Sequence, residues 1–247
     1  MKKIIISISC LLASIATFAG GNKSKVEEDG VLSNGFFFNL GMGMPNASIT
    51  SYAGQHFGTF ASQNLGTQAN LELGNQWYFY TSDQIGFGLK ASWAQFGFST
   101  FKDNNKNMFA SYYLTNQSPR FTTADIDAYA FDLKLIKIAP MFTYAVNDKF
   151  AVDASFEIAP TVNYFQEQEK GYTNLITKAD ARNEKVGTVI YGVTFAPGFR
   201  VRYSVFAIGY DYSFGSLSGQ GTLPGASTDY NLTQKISNSR IYLGLQF

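Results

Sequence analysis

The sequence contains almost no cysteine, little charge and no long apolar run beyond its first residues. Cys10 is the one cysteine among 247 residues, so no internal disulfide stabilises the chain. After the N-terminal segment, no stretch approaches the roughly 20 consecutive apolar residues that a membrane helix needs. Charged residues make up only 15% of the chain, and the net charge is +1. This balance argues against a nucleic-acid partner, which would require a basic patch.

The first residues have the pattern of an export signal. A basic start precedes an apolar stretch from Ile4 to Ala16, and small residues surround Ala19. Such a stretch is too short for a membrane helix and is typical of a secretory signal peptide. We therefore expect residues 1–19 to be a signal peptide that is cleaved after Ala19, and residues 20–34 to form a short solvated periplasmic linker.

Aromatic residues and glycine are abundant, and they occur in segments with a regular alternation. The chain is 16% aromatic and contains 23 glycines. Eight segments alternate apolar and polar side chains with a period of two, which is typical of strands with one apolar face. The segments are Phe36–Met44, Leu71–Phe79, Ile85–Trp93, Tyr129–Tyr144, Phe150–Tyr164, Val189–Tyr203, Phe206–Phe214 and Arg240–Phe247. The fourth segment changes phase near Leu135 and Ile136, which predicts a β-bulge.

The connections between these segments alternate between long and short. The short connections are residues 81–84, residues 147–149 and a corner near Ser204. The long, polar connections are residues 45–67, 100–124, 166–187 and 217–237. This pattern predicts an all-β fold, a transmembrane antiparallel up-and-down β-barrel with long extracellular loops and short periplasmic turns over residues 35–247. An even number of strands places both ends of the barrel on the periplasmic side.

Aromatic placement indicates which face meets lipid. A soluble eight-stranded barrel such as a lipocalin also alternates, but it points its apolar side chains inward. Near the short turns lie Trp77, Phe79, Tyr80, Phe142, Tyr144, Phe150, Tyr203 and Phe206. Toward the long loops lie Trp93, Tyr129, Phe131, Tyr164, Tyr191, Tyr212 and Phe214. Two such belts are typical of the two membrane interfaces and favour apolar side chains that face outward.

Three prolines interrupt the apolar phase of adjacent predicted strands. Pro140, Pro160 and Pro197 each follow an alanine. Proline has no N–H to donate to a strand ladder and usually avoids central strands. We expect bulges or local unpairing at these three positions, and the sequence assigns them no function.

The last strand carries the clearest resemblance to a known family. Ile241, Leu243, Leu245 and Phe247 share one face, and the chain ends on this aromatic residue. The ending and the architecture resemble small eight-stranded bacterial outer-membrane proteins of the OmpA-barrel and OmpX type. In that family the terminal strand is recognised by the barrel-insertion machinery and closes the barrel against the first strand. The resemblance implies an outer-membrane location, in contact with lipid and lipopolysaccharide.

Charged residues of both signs fall on the inward phase of the strands. The acids are Glu72, Asp132, Asp153, Glu157 and Asp211, and the bases are Lys90, Lys134, Lys137, Arg200 and Arg202. An eight-stranded interior is just wide enough for side chains to fill it, and buried charges must be paired. We therefore expect an ion-pair plug, with a narrow or gated conduit as the alternative. Arg200 and Asp211 are expected to meet across neighbouring strands.

Catalytic and cofactor patterns are nearly absent. His56 is the only histidine and lies in the first predicted loop, so no two-histidine metal site can form. No spacing singles out a catalytic triad, and no motif indicates a cofactor. The predicted loops are rich in hydroxyl and amide side chains, which suit adaptable contacts with an extracellular ligand. The first hypothesis is therefore a structural or adhesin-like barrel without enzymatic activity. A small-solute pore is the second hypothesis, and a lipid-modifying enzyme is the third.

Overall fold

The computed structural model of the protein contains eight long antiparallel strands. It describes residues 30–52, 55–56, 63–64, 66–104, 124–171, 182–222 and 229–247. The strands are β1 (Gly35–Tyr52), β2 (Thr67–Thr81), β3 (Ile85–Asn104), β4 (Ala124–Asn147), β5 (Phe150–Gly171), β6 (Arg182–Tyr203), β7 (Phe206–Thr222) and β8 (Asp229–Gln246). Two-residue strands at Gln55–His56 and Gln63–Asn64 also pair with β1. No helix among the described residues is long and apolar enough to cross a membrane.

The predicted signal peptide, most of the predicted linker and parts of all four predicted loops lie outside the described residues. Cleavage after Ala19 therefore stays a prediction.

The eight strands close into a barrel. Each strand pairs with its neighbours in the chain, and β8 pairs back onto β1. At this closure Phe36 and Phe247 exchange both backbone hydrogen bonds, with N···O distances of 2.9 and 2.8 Å. Closure matters in lipid because an unpaired strand edge would leave N–H and C=O groups without partners. The predicted antiparallel eight-stranded barrel is confirmed.

The outside of the barrel is apolar and the inside is polar. Outward side chains such as Phe79, Tyr191 and Leu243 are exposed, and the aromatic residues of both predicted belts are among the outward side chains. Most of the buried side chains are polar or charged, with few large apolar groups among them. A lipocalin-type barrel would show the opposite arrangement. The apolar side chains therefore lie on the outer face of the barrel, as in a transmembrane barrel.

The predicted irregularity of the fourth strand is present. The β4–β5 register shifts between Lys134 and Ile138. Ile136 has a φ of 56° within this interval, a conformation that is uncommon for a β-branched residue and typical of a bulge or turn.

The expected unpairing beside the three prolines is also present. The pairing of β4 with β5 is interrupted at Pro140 and Pro160, and the pairing of β6 with β7 is interrupted at Pro197. Each proline keeps a partner on its other neighbouring strand. One carbonyl in this region, that of Ala159, instead accepts a hydrogen bond from the hydroxyl of Thr161 at 3.2 Å. Side chains of the lumen thus supply donors that the ladder lacks there.

The strands continue into the segments that were predicted to be loops. The predicted loop boundaries are therefore not confirmed. The strand residues inside the predicted loops are 45–52, 55–56, 63–64, 67, 100–104, 124, 166–171, 182–187, 217–222 and 229–237. A ladder depends on backbone hydrogen bonds, whereas the alternation marks only the part of a strand whose outer face meets lipid. The apolar pattern therefore ends before the strand does.

The two ends of the barrel differ. The turn end carries the tight connections at residues 82–84, 148–149 and 204–205, and the opposite end is the loop end. At the turn end Val31 is only 7% exposed and packs against Ala145 and Ala151. Its N–H donates to the carbonyl of Asp148 at 3.3 Å. This part of the predicted linker therefore lies against the barrel.

Deleting Phe247 should prevent assembly. The deletion removes the exposed apolar end of β8 and the backbone pair with Phe36 that closes the barrel. We expect the deleted chain to remain in the periplasm, whereas the control Phe247→Trp keeps the aromatic end and assembles. Membrane fractionation with heat-dependent gel mobility measures the folded amount. Normal membrane levels of the deletion variant would contradict the role of this residue.

Candidate functional site in the lumen

The structure places all of the predicted inward charges inside the barrel. The ten side chains are at most 6% exposed, and Arg240 on β8 is buried with them. Among the described side chains, six buried bases therefore face five buried acids. The strand alternation explains this placement, because successive side chains of a strand point to opposite faces.

Glu72 is the centre of the larger group of contacts. This central cluster consists of Glu72, Lys90, Lys137, Glu157, Asp211 and Arg240. Lys137 Nζ lies 2.6 Å from Glu72 Oε1 and 2.7 Å from Glu157 Oε2. Lys90 Nζ lies 3.5 Å from Glu72 Oε1 and 3.1 Å from Glu157 Oε1. Because Glu72 is on β2 and Glu157 is on β5, the two lysines bridge strands from different sides of the lumen.

Arg240 extends the central cluster to β7 and β8. Its Nη1 lies 3.0 Å from Glu72 Oε2, and its Nε donates to Asp211 Oδ2 at 2.9 Å. Its guanidinium also lies 4.9 Å from the centre of the Tyr242 ring, a favourable cation–π arrangement. Arg240 is not among the ten predicted inward charges. The sequence nevertheless indicates that Arg240 points inward, because it falls in the same phase of the alternation as Tyr242 and Gln246.

The expected pair between Arg200 and Asp211 is wrong. The β6–β7 register places Arg200 opposite Gly209 and places Asp211 opposite Gly198. Asp211 instead faces Arg240 directly in the β7–β8 ladder. The error came from the assumed stagger between the two strands, which alternation alone does not determine.

Arg200 and Arg202 belong to a second group near the turn end. Their Nε atoms lie 2.6 and 2.8 Å from Oδ2 of Asp153, which is on β5. Thr143 Oγ1 donates to Asp153 Oδ1 at 2.7 Å. Arg200 also donates to Gln76 Oε1 at 2.7 Å, which links this turn-end cluster to β2 on the other side of the lumen. One carboxylate thus holds two guanidinium groups, and neutral acceptors satisfy further N–H groups.

Arg202 also connects the barrel to the segment before β1. Its Nη1 donates to the carbonyl of Val31 at 2.6 Å, and its Nη2 donates to the hydroxyl of Tyr78 at 2.7 Å. Gln76 Nε2 donates to the carbonyl of Ser33 at 3.4 Å, and the N–H of Tyr78 donates to Asn34 Oδ1 at 2.7 Å. These bonds hold residues 31–34 across the turn end.

The lumen toward the loop end is polar but less tightly paired. Asp132 and Lys134 lie there on the inward row of β4, and neither joins the ion pairs of the two clusters. Asn238 Nδ2 donates to Gln68 Oε1 at 2.6 Å. Within the described part of the chain, the side-chain oxygens of Asn70, Ser99 and Asn238 have no hydrogen-bond partner in the protein. Buried acceptors of this kind are commonly satisfied by solvent.

The chemistry available in the lumen is ion pairing. The described residues contain no group of three or more side chains able to hold a metal ion. His56 lies in a two-residue strand beside β1, and its side chain is outside the described set. Removing one partner of a buried ion pair typically costs about 3–5 kcal/mol, because the other charge stays buried without compensation. The clusters therefore favour one arrangement of the strands around them.

The fold and the lumen together define a class of protein. A closed ring of eight antiparallel strands with an apolar outside and a charged inside is the architecture of small transmembrane β-barrels of the outer-membrane type. Neither a protein-family model nor a curated protein sequence matches the chain.

Several solved structures are similar in fold. One is Ail, the attachment invasion locus protein of Yersinia pestis, in complex with the heparin analogue sucrose octasulfate. It shares 9% identity over 87% of this chain and 99% of its own, with a TM-score of 0.42. The outer membrane protease OmpT from Escherichia coli shares 8% identity, with coverages of 92% and 100% and a TM-score of 0.48. OprG from Pseudomonas aeruginosa shares 14% identity, with coverages of 86% and 96% and a TM-score of 0.36. Function must therefore be argued from the side chains of this barrel.

A double-mutant cycle should show that Arg240 and Asp211 are coupled. Each single alanine variant should lose about 3–5 kcal/mol of unfolding free energy, because it leaves a buried charge unpaired. The double variant should lose less than the sum of the single losses. Urea unfolding in lipid vesicles, followed by the fluorescence of Trp77 and Trp93, gives these energies.

The control is the cycle of Arg200→Ala with Asp211→Ala, whose side chains are not paired. Residues without shared contacts usually give losses that add to within about 0.5 kcal/mol. Additive losses for Arg240 with Asp211, or strong coupling of Arg200 with Asp211, would contradict the register of β7 with its two neighbours.

Proposed function

We propose that the protein is an outer-membrane β-barrel with a structural or surface-interaction role, and that ion pairs plug its lumen. The observation that carries this proposal is the bridge from Glu72 on β2 to Glu157 on β5 through Lys90 and Lys137. These side chains are at most 4% exposed. An eight-stranded barrel has little interior space beyond its side chains, so a bridge at this depth leaves no wide passage.

The proposed location rests on the chain itself. Its outward face is apolar, and its first 19 residues have the pattern of an export signal. A barrel with these properties is exported to the periplasm and inserted into the outer membrane. Lipid and lipopolysaccharide then surround the apolar face. The barrel-insertion machinery is the assembly partner, and it recognises Ile241, Leu243, Leu245 and Phe247.

The proposed interaction role belongs to the connections at the loop end. Their sequences are rich in Ser, Thr, Asn, Gln and Tyr, a composition that suits adaptable hydrogen bonding to a ligand. We therefore propose an extracellular ligand bound by the loops and no enzymatic activity. A binding screen on intact cells is the direct route to that ligand.

A narrow small-solute pore is the second candidate function. The unpaired oxygens of Asn70, Ser99 and Asn238 favour it, because they place hydrogen-bonding capacity in the lumen above the central cluster. A pore would need the contacts of Lys90 and Lys137 with the two glutamates to open. The two candidates therefore make opposite predictions for ion flow through the unaltered protein.

Single-channel recordings in planar bilayers separate the plug from the pore. We expect no regular conductance steps from the wild-type barrel. Lys137→Ala should produce steps, because it removes the shorter of the two lysine bridges between Glu72 and Glu157 and leaves only Lys90 between the two carboxylates. Lys149→Ala is the matched control, since Lys149 is exposed in a turn. Regular wild-type steps that Lys137→Ala leaves unchanged would overturn the plug and favour the pore.

A further inference from the structure

The outward face of β8 changes character toward the loop end. Ile241, Leu243 and Phe247 are exposed apolar side chains nearer the turn end. The same outward row then continues with Ser239, Ser237 and Lys235. Beside Ser239 both neighbouring strands carry apolar or aromatic side chains, and beside Ser237 the β7 strand still does. The polar stretch of β8 therefore begins before the apolar face of β7 ends.

The strand register places the two serines beside apolar side chains. Ser239 lies between Met44 of β1 and Tyr212 of β7. Ser237 lies next to Phe214 of β7, and its neighbour on β1 is Asn46. Met44, Tyr212 and Phe214 are outward and exposed. The serines therefore form a polar notch within the apolar face of the barrel.

The notch is also a recess. Small side chains on β8 leave a cavity of about 350 Å³ on this face, with Tyr212 and Phe214 on one side and Asn46 on the other. The rings of Tyr212 and Phe214 are 6.1 Å apart, measured between their centroids. The recess thus has an aromatic wall, a hydroxyl-bearing floor and an amide side chain opposite the aromatic wall.

A cation lies at the upper border of the recess. Lys235 lines it, and the side chain is exposed. Within the part of the chain that the structure describes, no carboxylate forms a salt bridge with Lys235. Its partner across the β7–β8 ladder is Ser216. The charge is therefore available to an anion outside the protein, with hydroxyl groups close by.

We propose that this notch binds a phosphorylated glycolipid of the membrane leaflet at the loop end. Lys235 contacts the phosphate, Ser237 and Asn46 hydrogen-bond to sugar hydroxyls, and an acyl chain packs against Tyr212 and Phe214. A membrane lipid fits better than a soluble anion because the recess opens beside outward apolar residues that face lipid. A basic side chain near a membrane surface attracts anionic lipid. This inference rests on the proposed membrane-spanning arrangement.

The test compares lipids on the purified, folded barrel. Native mass spectrometry measures which lipids stay bound after detergent removal, using lipid A, dephosphorylated lipid A and phosphatidylglycerol. We expect one retained lipid A and weak retention of the other two. Lys235→Gln should weaken lipid A binding about fivefold, the equivalent of about 1 kcal/mol. Ser237→Trp should abolish binding by filling the recess.

Two matched controls isolate the notch. Lys149→Gln removes an exposed lysine at the turn end, and Ala69→Trp enlarges an exposed side chain on β2 toward the loop end. Neither should change lipid A binding. Equal retention of dephosphorylated lipid A or phosphatidylglycerol would overturn the proposal, as would insensitivity to Lys235→Gln and Ser237→Trp. If the native mass spectrum shows a dimer of the wild-type protein that Ser237→Trp abolishes, the notch is a dimer contact. That result would also overturn the lipid-binding proposal.

The gel mobility of the unheated chain distinguishes this failure from failure of the proposed function. If the barrel shows the folded, heat-sensitive mobility but retains no lipid A, only the proposal that the notch binds lipid A is refuted. A chain that never shows this mobility in membranes refutes the transmembrane proposal itself.

Discussion

The buried carboxylate of Glu72 is the contact on which the rest of the lumen depends. Lys137, Lys90 and Arg240 all approach it, and they come from three different strands. Asn39 Nδ2 on β1 also donates to its Oε2 at 3.0 Å. A carboxylate without these partners would be costly in a water-poor interior. The strands that carry the partners are therefore constrained to one register around it.

The separation of the two faces explains how such a charged interior can exist in a membrane. The outward side chains are mostly apolar, the closed ladder pairs the backbone of the strands, and the charged side chains lie in the lumen. An ion pair in that position contributes more to the choice of one arrangement than to net stability. The same principle makes the notch at Ser237 and Ser239 conspicuous, because there hydroxyl groups lie on the lipid-facing side.

Alternation predicted the eight strands, the inward charges and the bulge at Ile136, because each depends on the pattern of a single strand. The unpairing beside the prolines was predicted from the missing N–H of proline. Alternation did not predict which charges meet. Partners depend on the stagger between strands, and the wrong pairing of Arg200 with Asp211 shows this. Arg240 was not predicted as a lumenal charge, although it shares the inward phase of the last strand with Tyr242. The strand ends were also missed, since a ladder continues where both faces are polar.

The unfolding free energy of Glu72→Gln, compared with that of Asp132→Asn, tests the central claim most directly. Both changes remove one buried inward charge with little change in shape, but only Glu72 is bonded to three cations. Urea unfolding in lipid vesicles should show a loss of about 3–5 kcal/mol for Glu72→Gln and a much smaller loss for Asp132→Asn. Equal losses for the two variants would contradict a lumen organised around Glu72.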